Sequence, residues 1–115
     1  MKMKRIEATI QATKMAAVTE AINDLVGGFT ILEGKGRGSG KRQNVRSGRG
    51  TGSHIAEYND VATVSTVVED SEVEKVSNAI ADAAFTGKGG DGIIVVSNVE
   101  NVTNIATKKS GSEAL

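Results

Sequence analysis

The sequence predicts one α+β domain in which two helices pack on the same face of a four-stranded antiparallel sheet. Three observations carry this reading. Apolar and polar residues alternate over 4–11, as a half-buried strand requires, and 61–69 is rich in β-branched residues on both faces, as strands favour. Apolar residues recur at steps of three and four over 14–26 and 71–85, as amphipathic helices require. Each helix lies between two strand-like segments, so the chain contains the same strand-helix-strand plan twice.

In the first strand Ile6, Ala8 and Ile10 share one face, and Arg5, Glu7, Thr9 and Gln11 the other. Met15, Val18, Ile22 and Leu25 then form one helical stripe, and Gly27-Gly28 is expected to end that helix from the C′ position. A second strand is expected over about 29–35. The third, over 61–69, is rich in β-branched residues, with Ala62, Val64, Thr66 and Val68 on one face. Ser71 and Glu74 have the spacing of a capping box at the start of the second helix, which should bury Val73, Val76, Ile80 and Ala83. Residues 86–92 read TGKGGDG, a glycine-rich turn into a fourth strand over 93–97. Val99, Val102 and Ile105 are expected to close the domain as an edge segment. Together these elements predict a ferredoxin-like βαββαβ sandwich, with its long loop, about 36–60, between the second and third strands.

The length of 115 residues suits a single domain, 1–115. Formal net charge is zero, so attraction to an anionic partner has to come from local clustering. There is no cysteine, hence no disulfide framework, thiolate nucleophile or thiolate metal site. No apolar run approaches the roughly 18 residues of a membrane span, and the expected location is cytoplasmic, without membrane insertion.

Enzyme chemistry finds little support. The single histidine, His54, neighbours Ser53 in the loop, and sequence neighbours need a third group to fix them as base and nucleophile. No metal-ligand spacing is present, so no catalytic residue, metal or required cofactor is expected. Gly40-Lys41-Arg42 fails the Walker A pattern. Gly87, Gly89 and Gly92 satisfy GxGxxG, but they follow a helix and precede a strand, the reverse of a dinucleotide-binding turn.

The loop carries a different chemistry. Lys35, Arg37, Lys41, Arg42, Arg46 and Arg49 lie in a stretch free of acidic residues between Glu33 and Glu57. Glycines there let backbone N–H groups approach an anion, and the cations supply charge. A phosphate, a carboxylate or an acidic protein surface fits this loop. Nucleic acid is disfavoured, because no aromatic residue interleaves the arginines.

The order and spacing of these parts resemble the PII signal-transduction family over nearly the whole chain. The residues that carry the resemblance are Gly28-Phe29-Thr30 through Glu33, Lys35-Gly36 and Gly38, the Ala84 to Gly92 turn, and the ending Gly111-Ser112-Glu113-Ala114-Leu115. The resemblance implies a cytoplasmic homotrimer of nitrogen metabolism that binds ATP, ADP or AMP between neighbouring subunits. It also implies regulation of a protein partner, a transporter or metabolic enzyme, through loop 36–60. By matched position Thr30, Gly36, Arg37, Gly38, Lys88, Gly90, Asp91 and Gly92 would bind the nucleotide or anion, and Lys41, Arg42, Arg46 and Arg49 would meet the partner. Departures from the family pattern are Ser39-Gly40 at the usual Arg-Gln pair, Ile93 at a usual lysine, and Asn104-Ile105-Ala106 at Arg-x-Arg. The contrasting expectation is an adaptor that senses nothing and uses the basic loop to grip an acidic partner.

Overall fold

The computed structural model describes residues 2–39, 44–46, 53–55 and 57–115. Strand β1 (Met3–Gln11) runs through the centre of the main sheet, and its alternation decides which face becomes the core. Ile6, Ala8 and Ile10 are all but inaccessible and stand in register with Thr66, Val64 and Ala62 of β5 (Asn59–Glu69). On the other flank of β1 lies β6 (Gly92–Val99), and β2 (Thr30–Gly36) pairs with the outer side of β5. The sheet order is therefore β2-β5-β1-β6, with every neighbouring pair antiparallel. This is the ferredoxin-like order that two interleaved strand-helix-strand units produce.

Helices α1 (Met15–Ile22) and α2 (Val73–Ala84) cover one face, each entered through a single 3-10 turn. Val18 and Ile22 of α1 and Val76, Ile80 and Ala84 of α2 join the strand residues in one aliphatic cluster, with Met15, Leu25, Val73 and Ala83 packed at its margin. Thr66 is the one buried polar residue among those described, and its hydroxyl donates to the Gly28 carbonyl at 2.6 Å. Thr66→Val keeps the shape and strands that carbonyl, so we expect a loss of about 1 kcal/mol, read from the urea midpoint at unchanged slope.

Several details differ from the sequence expectation. The first helix ends at Ile22, not near Val26, because the Ile22 carbonyl takes both the Leu25 and Val26 N–H groups and tightens the chain into a turn. Gly27 and Gly28 are not left-handed caps; a Cβ on Gly27 would lie 3.3 Å from the Leu115 carbonyl carbon, so that glycine admits the packed C-terminus. The Ser71–Glu74 capping box does not form: the chain enters through a 3-10 turn over 70–72, Glu72 takes the N-cap position of α2, and the Asp70 N–H donates to the Lys2 carbonyl at 2.9 Å.

Parts of the expected loop 36–60 are described. The β2–β5 ladder reaches Gly36 opposite Asn59, and a second ladder pairs β3 (Asn44–Arg46) with β4 (Ser53–Ile55). His54 stands in that ladder opposite Val45, so it belongs to a strand. Ile105 closes nothing and is 91% exposed. Asn104 ends the apolar pattern there: its side-chain oxygen accepts the Ala106 and Thr107 N–H groups and folds the chain into an Asx turn.

Candidate functional site

The registers place the C-terminal ends of β1 and β2 beside the N-terminal ends of β5 and β6, at one end of the sheet. A cleft of about 310 Å³ opens there. Gly36, Arg37, Gly38 and Ser39 line one side, Gly90, Asp91, Gly92 and Ile93 the other, and Thr9, Ile10, Asn59 and Val61 lie between. Two glycine-rich segments more than fifty residues apart thus share one space.

The glycines are there for backbone reasons. A Cβ on Gly36 would sit 3.2 Å and 3.3 Å from the two methyls of Val61. Gly90 and Gly92 have φ of 92° and 117°, a region side chains rarely adopt. At Gly92 a Cβ would also fall 2.0 Å from the Thr9 carbonyl oxygen.

Asp91 holds the turn together. Its carboxylate accepts the Thr86 hydroxyl, the Thr86 N–H at 2.8 Å and the Gly87 N–H at 3.2 Å. The Gln11 side-chain amide adds a donor at 3.4 Å and also reaches the Gly90 carbonyl at 3.2 Å. The Thr86 bonds, chiefly the hydroxyl, hold the Asp91 carboxyl below its ordinary value of 3.8, with smaller help from Gly87 and the Lys14 charge. A carboxylate so engaged organises the glycine backbone and leaves the attraction for an anion to its neighbours. Since the folded form is the stronger acid, its contribution is complete above the ordinary carboxylate range and fades as pH falls through the lowered value. Protection factors of the Thr86 and Gly87 amides should therefore fall as pH drops below the ordinary carboxylate range, before those of the strand amides.

The cations expected at the site divide. Arg37 lines the cleft and is exposed. Lys35 stands opposite Asp60 across the β2–β5 ladder and is ion-paired with it. Lys88 lies in the same turn as Asp91, with its N–H on the Thr86 hydroxyl at 3.2 Å, and is not part of the lining. Arg46 falls in β3 opposite Ser53, while Lys41, Arg42 and Arg49 lie outside the described residues.

Thr30 is elsewhere. It sits six residues from Gly36 on an extended strand, about 20 Å away, in a separate depression with Arg5, Glu7, Gly28, Phe29, Leu32 and Thr66 among its walls. Sequence reasoning missed Thr9, Asn59, Val61, Ser39 and Gln11, because their place depends on which strand ends the register brings together. Among the described residues no group of three or more His, Asp or Glu side chains could hold a metal, and no helix is long and apolar enough to cross a membrane.

Residues 3–109 match the family model described as Nitrogen regulatory protein P-II. The chain is 39% identical to the nitrogen regulatory protein P-II of Rhizobium meliloti and 38% identical to that of Azospirillum brasilense, each over 98% of this chain and the whole of the relative. Among solved structures it resembles Arabidopsis thaliana PII bound to citrate, with a TM-score of 0.79 and 25% identity over 99% of this chain and 92% of that one. Bacillus subtilis GlnK shares the fold at a TM-score of 0.78, with both chains fully covered.

Proposed function

The chain belongs to the nitrogen regulatory protein P-II family, and from that premise we propose that it reports on a small anionic effector held in the cleft between Gly36–Ser39 and Gly90–Ile93. Its family consists of regulatory signal transducers, not enzymes. The observation that carries the proposal is the convergence of two glycine backbones and the Arg37 side chain at one end of the sheet. Close backbone approach with an adjacent guanidinium suits a phosphate or carboxylate.

A homotrimer completes this reading. The sheet face without helices exposes Leu32, Ile93 and Val95, at 68%, 66% and 49%, which neighbouring copies would cover. A neighbour is also what could bring a Thr30 depression to the cleft of this chain, as a site shared between subunits requires. The segment 36–60 then carries the effector state to a cytoplasmic protein partner, a transporter or a metabolic enzyme, with Lys41, Arg42, Arg46 and Arg49 facing its acidic groups.

ATP, ADP and AMP are the first candidates, and citrate joins them as the ligand of the Arabidopsis structure. Calorimetric titration of the full chain with these four, 2-oxoglutarate and bicarbonate tests the proposal. Saturable binding of at least one is expected. Silence from all six, with partner capture that depends only on the loop arginines, would replace the sensor by the adaptor.

A further inference from the structure

We infer that Gln11, a residue outside the cleft lining, is the positioning residue that sets the Gly90–Asp91 peptide for anion binding. This rests on the cleft being the effector site. Gln11 is the last residue of β1 and is partly buried, so its side chain projects from the rigid centre of the sheet rather than from the turn it contacts. Its amide donates to two groups on successive residues, the Gly90 carbonyl at 3.2 Å and the Asp91 carboxylate at 3.4 Å.

The consequence is geometric. In a trans peptide the C=O and the following N–H point in opposite directions. Drawing the Gly90 carbonyl toward Gln11 therefore sets the Asp91 N–H away from Gln11. That peptide turns with ψ of Gly90, and a glycine, lacking a Cβ, opposes the rotation less than any other residue. Rotated, it would exchange a donor for a carbonyl oxygen, and an anion at that point would meet repulsion instead of a hydrogen bond. The carboxylate bonds to Thr86 and Gly87 secure the beginning of the turn, whereas Gln11 secures its exit.

The charged group that Gln11 contacts is Asp91, on which the Lys14 charge also acts, and Arg37 lines the same cleft as Asp91. Gln11→Glu preserves size and sets a carboxylate against both acceptors. With ATP as probe, the full-length variant should bind about tenfold more weakly than wild type at pH 7.5, and the deficit should shrink toward pH 5 as the new carboxyl gains a proton and becomes a donor. Gln11→Lys, which keeps a donor, should restore most of the affinity at both pH values. The amide chemical shifts of Gly90 and Asp91 should move in Gln11→Glu and Gln11→Ala, while those of Ile6 and Val64 stay in place. Unchanged shifts at Gly90 and Asp91, or shifts of equal size throughout the sheet, would overturn the assignment. If wild type does not bind ATP, the effector reading loses that ligand, and the chemical shifts still decide whether Gln11 fixes the peptide.

Discussion

Gly92→Ala is expected to be the most damaging small substitution in the described fold. The methyl would meet the Thr9 carbonyl oxygen at 2.0 Å and the Ile10 Cα at 3.0 Å, both backbone atoms of the central strand. Neither can move without breaking the β1–β6 register, in which Ile10 faces Gly92. The φ of 117° adds a conformation that alanine avoids. Overpacking and left-handed strain together suggest about 3 to 5 kcal/mol, enough to lower Tm by more than about 10 °C in a domain of this size. Thermal unfolding by circular dichroism measures it. Gly89→Ala, two positions from the strained Gly87, makes a control: a Cβ there meets nothing within 4 Å and no positive φ opposes it, so a change within about 0.5 kcal/mol is expected.

Arg37→Ala should have the largest effect on ligand binding with the least on folding. Arg37 is exposed, beyond the last ladder pair of β2, and bears the cationic side chain of the cleft lining. Lys35 cannot substitute for it without leaving Asp60, and Lys88 lies outside the lining. A charge-assisted hydrogen bond contributes roughly 1.5 to 3 kcal/mol, so the affinity for an anionic effector should fall between about 10-fold and 150-fold. Calorimetry compares the two proteins, and Tm should stay within about 2 °C of wild type because a surface arginine with no ion pair among the described residues adds little stability. Arg37→Lys should recover part of the loss, since an ammonium keeps the charge and gives up the planar fork.

The architecture could be read from the chain because each element announces itself locally. Ile6, Ala8 and Ile10, Val18 and Ile22, and Val76 and Ile80 are spaced for the faces they bury, and all reach the core. Element ends were less legible. Nothing near Ile22 marks that its carbonyl takes two N–H groups, and Ser71–Glu74 has capping spacing in a place where a 3-10 turn shifts the helix N-cap to Glu72. The short β3–β4 ladder lacks an apolar period because it is not part of the main sheet.

The site was legible in half. Gly36, Arg37, Gly38, Gly90, Asp91 and Gly92 stand out by residue type, and the fold does bring them to one cleft. What residue type could not reveal is pairing: that Asp60 takes Lys35, that Thr86 and Gly87 take the Asp91 carboxylate, and that Thr30 faces a different depression. The Asp91 carboxylate braces the turn while its residue lines the cleft. These facts depend on register and on turn geometry, which no single stretch of sequence contains.

The central claim is that residues 36–38 and 90–92 act as one anion site. An NMR titration of the labelled full chain with ATP tests it most directly. The amides of Gly36, Arg37 and Gly38 and those of Gly90, Asp91 and Gly92 should shift together, with a single saturation curve that Arg37→Ala displaces to higher ATP concentration. Saturable shifts confined to one of the two segments, or centred on residues remote from both, would contradict it.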